Sequence, residues 1–357
     1  MAKHVLDRAK AEDFSARMVG VLNDAALALM TSVGHQAGIF DAMEDLPAST
    51  SEEIARAAGL NERYVREWLG AMVTGRVIEY DATSRSYALP AEHAASLTRA
   101  AGVANLSIQM RWIACMGGVE EGIVESFRKG GGVPYSAYSR FHEIMAEESG
   151  QVIDAALVQK TLPLVPGLVE RLTRGIDVLD VGCGSGHAIN VMARAFPHSR
   201  FTGYELSEEG VAAGRAEAEA SGLPNAAFEV RDVESLGEPA GFDLVTAFDA
   251  IHDQAQPTAV LAGIAAVLHA DGTFLMVDIA ASSELAENLD HPLAPFLYSI
   301  STMHCMTVSL ARQGEGLGTM WGEQKAREML AAAGFQNVAV HRVDGDILNS
   351  YFVASKT

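Results

Sequence analysis

The stretch Val178-Leu179-Asp180-Val181-Gly182-Cys183-Gly184-Ser185-Gly186 constrains the fold of this chain more than any other. From Ile176 the chain runs apolar and β-branched, as a strand buried on both faces does. Three glycines then alternate with Cys183 and Ser185, and a helical pattern begins at about His187. A strand that ends in glycines before a helix lets the backbone approach a ligand, because no Cβ stands in the way. A bare G-x-G says only that something nucleotide-like sits at a strand end. The stretches that follow decide which ligand.

The chain has 357 residues, more than one core accommodates and suited to two domains. With 49% hydrophobic and 20% charged residues it is a folded protein. No apolar run approaches the ~20 residues that span a bilayer. The start, Met1-Ala2-Lys3-His4, turns charged without a signal-peptide core, so a cytoplasmic location is expected. Three cysteines, at 115, 183 and 305, form no C-x-x-C pair and no disulfide or zinc framework. A net charge of −20 opposes phosphate-backbone binding by the chain as a whole.

Residues 13–33 read as a helix with Phe14, Met18, Val21, Leu22, Ala25 and Leu29 on one stripe, and residues 35–43 as a shorter one. Ser51 caps the next, with Glu52 and Glu53 in its first turn, and Asn61 caps a helix over 62–74. Strands at 77–80 and 86–89 form a hairpin. Helix, turn, helix, hairpin over 41–97 is a winged-helix pattern. From 61 to 100 five arginines (63, 66, 76, 85, 99) face five acids (62, 67, 79, 81, 92). A neutral recognition helix reads DNA poorly, so dimerisation and the roofing of a substrate site are the expected uses. Residues 101–175 connect the halves. Within them the glycine loop at 129–134 precedes Tyr135, Tyr138, Phe141 and His142, which reads either as a lid over a site or as ordinary packing around a loop.

Beyond Gly186, Phe201 to Glu205 is a second strand ending in an acid, 25 residues past Asp180 and followed by Leu206. That is close to the spacing at which a carboxylate meets ribose hydroxyls. Asp232 and Val233 follow a third strand, where they can meet an adenine edge and ring. Phe242 to Phe248 is a fourth strand and Gly272 to Asp278 a fifth. Ile189 stands where the last glycine of the dinucleotide fingerprint would fall, which argues against a dehydrogenase.

From about Asp177 to Phe352 the chain resembles class I S-adenosylmethionine-dependent methyltransferases. The resemblance implies an α/β fold, a Rossmann-like seven-stranded sheet behind a mostly helical winged-helix domain. It implies that Asp180, Gly182, Gly184 and Gly186 border the methionine part of the cofactor, that Glu205 and Leu206 meet the ribose, and that Asp232 and Val233 hold the adenine. Phe248 and Asp249 close the methionine end. The resemblance also implies S-adenosylhomocysteine as the product. The expected domains are 1–100 (winged helix, dimerisation), 101–175 (helical connector and lid) and 176–357 (cofactor binding).

Behind the fourth strand lies Phe248-Asp249-Ala250-Ile251-His252-Asp253-Gln254. A histidine at the carboxyl rim of a parallel sheet is placed to act as a base near neutral pH. The chain also looks like winged-helix O-methyltransferases, which carry His-Asp-Trp here; Gln254 departs from that motif. A phenol at pKa ~10 needs modest help from a base. His252 is therefore the expected base and Asp278 its orienting carboxylate, with no metal. Tyr135, Tyr138, His142, Met303, His304 and Trp321 are expected around a small-molecule acceptor. Two other readings stand: methylation of a thiol or a methylthio hydroxy acid, with His252, Tyr135, Tyr138, Arg111 or Arg140 anchoring the acid, and a cofactor-sensing transcription regulator. The resemblance implies a homodimer.

Overall fold

The structure is a computed structural model that describes residues 6–236, 241–344 and 346–356; the N-terminal residues read above for a leader lie outside them. The chain divides into two compact units, 1–115 and 116–357. The division falls within the connector expected at 101–175.

The first unit begins with α1 (Arg8–Gln36), α2 (Ile39–Glu44), α3 (Ser51–Ala58) and α4 (Glu62–Thr74), followed by β1 (Glu79–Asp81), β2 (Ser86–Ala88) and the short α5 (Ala91–Ala94). Thr50, one residue before the expected cap, closes a reciprocal capping box with Glu53 at the start of α3. Asn61 caps α4 as expected. Ile54, Val65, Trp68, Leu69 and Met72 from α3 and α4 form the core with Phe40. The wing closes in antiparallel register, Tyr80 opposite Tyr87, and Ser49 bridges Tyr87 from its other side.

The helix expected over 13–33 forms as part of α1, and its apolar stripe faces outward. Phe14, Met18, Val21, Leu22 and Leu29 are all exposed, Leu22 by 70%. Helix α1 is also long and apolar enough, by length and composition, to cross a membrane, where the sequence analysis found no such run. Its C-terminal end is tied into protein: Thr31, Ser32, Gly34 and His35 are buried, and the Trp68 indole donates to the Met30 carbonyl at 2.7 Å.

The second unit is entered through α6 (Arg111–Gly117), which spans the division. It continues with α7 (Glu120–Lys129), α8 (Phe141–Ala156) and α9 (Leu168–Arg174). Strands β3 (Asp177–Val181), β4 (Arg200–Glu205), β5 (Ala226–Val230), β6 (Phe242–Phe248), β7 (Leu268–Ile279), β8 (Asn337–His341) and β9 (Asn349–Ser355) form one sheet in the order β5-β4-β3-β6-β7-β9-β8. The first five are parallel, and β9 pairs antiparallel with both β7 and β8. Helices α10 (His187–Ala195), α11 (Glu208–Ala220), α12 (Pro257–Val267) and α15 (Gly322–Ala332) bury both faces of the sheet, which is why its strands read as continuous apolar runs. Between β7 and α15 come α13 (Ala294–Ile300) and α14 (Met306–Ala311), joined by a π-helical turn, Ser301–Cys305.

The strand order reverses between β3 and β6, and such folds hold ligands in the crevice at that point. Gly182 and Gly186 are fitted to it. A Cβ on Gly182 would lie 2.8 Å from the Ala250 Cβ, and one on Gly186 only 2.3 Å from the Phe228 ring, both at positive φ. Gly186→Ala is therefore expected to cost about 1–3 kcal/mol, read as a lower urea midpoint at unchanged slope.

Candidate active site

The turn after β3 is braced by the acid that ends β4. One Glu205 oxygen accepts the Gly184 N–H at 3.0 Å, and the other accepts the Ser207 N–H at 2.8 Å. A Cβ on Gly184 would meet nothing within 4 Å, so the turn's backbone looks onto open space. Cys183 turns inward and packs where a side chain on Gly203 would stand; burial pushes its thiol far above the usual range. Asp180 is buried and opposite Thr246 across β3 and β6, whose hydroxyl donates to it at 2.7 Å. Burial raises the Asp180 carboxyl to about 7 against that hydrogen bond, and Glu205 adds to the rise. Leu206 is exposed, and Val233 is buried in the core. Asp232 is already engaged: it caps the turn after β5 through Glu234 N–H, and Arg312 donates to its other oxygen at 3.0 Å. Arg312, which also reaches Glu234 at 3.1 Å, escaped the sequence analysis because it lies 80 residues away.

Across the crevice, Asp249 follows β6 with φ +50, a left-handed backbone conformation uncommon for anything but glycine. Its N–H is held by the Val277 carbonyl at 2.9 Å. Its Oδ1 is buried without a hydrogen-bond partner, and burial followed by the charge of Asp278 raises its carboxyl to about 8, against the pull of His252. Strain and an unpartnered acid at one residue, beside the half-buried end of β6 at Phe248, mark a place shaped for a ligand.

His252 and Asp278 meet as expected. The imidazole Nδ1 is 2.8 Å from Asp278 Oδ1, and both residues are buried. The same oxygen accepts the Trp321 indole N–H at 3.0 Å and the Ile279 N–H at 2.8 Å. Trp321, expected at the acceptor, thus packs in the core behind the pair and orients it. Burial alone would lower the His252 pKa. The Asp278 charge, Cys305 beside the ring and the Asp278 hydrogen bond outweigh burial and carry it well above 6.5. The backbone around His252 is sewn to the segment after α14: Gly318 N–H meets the His252 carbonyl at 3.2 Å, and Glu315 N–H the Ala255 carbonyl at 2.8 Å. Gln254, where the resembling family has tryptophan, donates back to the Ala250 carbonyl at 2.7 Å.

The aromatic cluster after the glycine loop also assembles. Tyr135 stacks on His142 at 5.6 Å, and Tyr135, Tyr138 and Phe141 all contact His304. The Tyr138 hydroxyl donates to the Met303 carbonyl, and Val133 N–H is held by Thr307 Oγ1 at 2.9 Å. The glycine loop and its aromatics are thereby fastened to the segment that carries Met303 and His304. Arg140 is paired with Glu143 at 2.8 Å.

Folding takes up a proton at Asp249, whose unfolded value of 3.8 rises to about 8. Its contribution to stability therefore falls as pH rises between those values and is level above them. Asp249→Asn is expected to raise the melting temperature of the ligand-free protein by an amount that grows from pH 5 to pH 8, while weakening cofactor binding. Calorimetric melting and titration across that range check both signs.

Comparison with known proteins agrees with this geometry. Residues 25–99 match a family model described as an Rv2258c-like winged HTH domain, and residues 172–334 one described as a methyltransferase domain. Over 114 residues the chain is 32% identical to a ubiquinone biosynthesis O-methyltransferase of Paracidovorax citrulli, covering 31% of this chain and 47% of that protein. The chain thus spans less than half the length of the curated relatives it matches first. Human N-acetylserotonin methyltransferase, solved with S-adenosylmethionine, superposes with a TM-score of 0.68 over the whole of both chains at 15% identity. The mitomycin 7-O-methyltransferase MmcR does so with 0.68 over 98% of this chain and all of that one at 16% identity. At such identities the likeness is one of fold. The chain joins a winged helix-turn-helix domain to a methyltransferase domain of the class I S-adenosylmethionine-dependent fold.

Proposed function

We propose that the protein transfers a methyl group from S-adenosylmethionine to a hydroxyl oxygen of a small molecule, with His252 as the base. The observation that carries this reading is the buried Trp321–Asp278–His252 relay at the carboxyl rim of the sheet, across the crevice from the glycine turn. The residues fit the cofactor: open backbone at Gly184, a braced Glu205 for ribose hydroxyls, and the acids Asp180 and Asp249 for a cationic donor. When bound, it supplies an already activated methyl on a sulfonium, so the chain must align the acceptor and manage its proton.

Asp278 holds Nδ1–H and leaves Nε2 as the atom that takes the acceptor's proton. The pair favours imidazolium, so productive complexes hold either neutral His252 with a phenol or imidazolium with a phenolate. Both have one proton fewer than imidazolium with a phenol. kcat/KM is therefore expected to rise with pH through the His252 pKa, with its acid limb above 6.5. Asp278→Asn removes the charge that raises this pKa, so the limb should move to lower pH while kcat falls by about 100-fold or more. His252→Ala separates base from anchor: loss of kcat supports a base, whereas a raised KM at retained kcat supports the methylthio-acid reading.

We also propose a homodimer through α1 and a cytoplasmic location. The exposed Phe14, Met18, Leu22 and Leu29 make a surface that a second copy would cover. DNA binding is disfavoured because Arg63 and Arg66 on α4 already pair with Glu67 and Glu62 along the same helix. Light scattering is expected to give a dimer, and Leu22→Asp with Phe14→Asp a monomer; a monomeric parent protein would refute the assembly.

A further inference from the structure

We infer that His304 recognises a second polar group on the acceptor through its Nε2, and that this group is neutral rather than a carboxylate. This rests on the reading of methyl transfer at His252.

His304 lies in the π-helical turn between α13 and α14, one residue before Cys305, whose side chain neighbours His252. Such turns widen the backbone ladder and recur at functional sites. The residue is only 3% exposed. Phe141 lies flat on one face of its ring, with centroids 4.1 Å apart and planes 7° from parallel. Tyr138 and Tyr135 approach edge-on at 4.7 and 5.1 Å. The aromatic walls account for the ring's packing but not for its edge, because Nε2 is buried with no hydrogen-bond partner. Leaving such an atom unpaired costs about 1–3 kcal/mol, a cost that a ligand group can relieve.

Two electrostatic facts narrow that group. His304 is neutral at any physiological pH, lowered to about 3 by burial and then by the charges of His252 and His142. It offers a dipole and no charge. The buried acids after β6 supply no cation either: Asp253 is raised to about 6 and Asp249 to about 8, in both cases chiefly by burial. Arg140, beside Phe141, is paired with Glu143. A carboxylate at Nε2 would be buried against an uncharged imidazole and aromatic rings, which is costly, whereas a neutral donor would satisfy Nε2. The loop before Tyr135 bends at Gly130 and Gly131, both at positive φ, and is anchored to the segment that carries His304 at Thr307 and Met303.

The test is calorimetric binding of three matched bicyclic ligands to protein saturated with S-adenosylhomocysteine: 2,3-dihydroxynaphthalene, 2-naphthol and 3-hydroxy-2-naphthoate. The diol is expected to bind about 10-fold tighter than the naphthol, and the naphthoate weakest. His304→Phe should erase the diol's advantage and leave naphthol affinity within about twofold, while His304→Gln should keep most of it. Should the Phe variant fail to fold, the Gln variant and the ranking in the parent protein still decide. Equal loss for diol and naphthol, a naphthoate that binds tightest, or no binding by any of the three overturns the inference. Loss of S-adenosylhomocysteine binding by the parent protein, or methylation of the diol undiminished in His252→Ala, would instead strike the methyl-transfer reading itself.

Discussion

The buried carboxylate of Asp278 is the interaction on which the rest of the site depends. It has no exposed surface, and a charge taken that far from water survives only if it is paired and hydrogen-bonded. Three donors from three places converge on its Oδ1: the His252 imidazole, the Trp321 indole and the Ile279 backbone. Sheet, rim loop and the start of α15 are thereby referred to one atom, and the orientation of His252 follows. Its Oδ2 stays without a partner, so the satisfaction of this carboxylate is lopsided toward the imidazole side. Substituting any of the three donors would expose the others to the cost of an incompletely paired buried charge, which is why positioning and stability are coupled here.

The switch point keeps buried acids at the expense of stability. Asp180 and Asp249 are both raised by burial, and Asp249 holds its place with a left-handed backbone and an unpartnered oxygen. No stable core needs this. The sulfonium proposed for this crevice would account for it, because a cation at short range in a low dielectric favours the ionised acid strongly. Without it, Asp249 keeps a strained backbone and an unpaired oxygen.

Much of this was legible in the sequence because it is local. Glycines after a β-branched run, an acid at the end of β4 and a histidine behind β6 occupy fixed places in a strand-turn-helix repeat, and the parallel sheet carries them to one rim. What escaped is set by distant partners or by surfaces the chain does not itself cover. The apolar stripe on α1 has helical period, and period does not tell a core from an interface, so the exposure of Phe14 and Leu22 has no signal in the sequence. Trp321 looked like an acceptor wall because it is aromatic and follows the glycine segment; only tertiary packing shows its indole turned to Asp278. Arg312 gives no local signal of its reach to Asp232. The π-helical turn at Ser301–Cys305, which sets His304 beside Phe141, has no pattern that distinguishes it from the helix around it.

The most direct measurement is a crystal structure of the protein with S-adenosylhomocysteine and an aromatic alcohol bound together. The product should lie along Gly182 to Gly186 with its ribose on Glu205, and one acceptor hydroxyl should sit within hydrogen-bond distance of His252 Nε2, facing the cofactor sulfur. A product bound elsewhere, or an acceptor whose hydroxyls all point away from His252, would contradict the central claim.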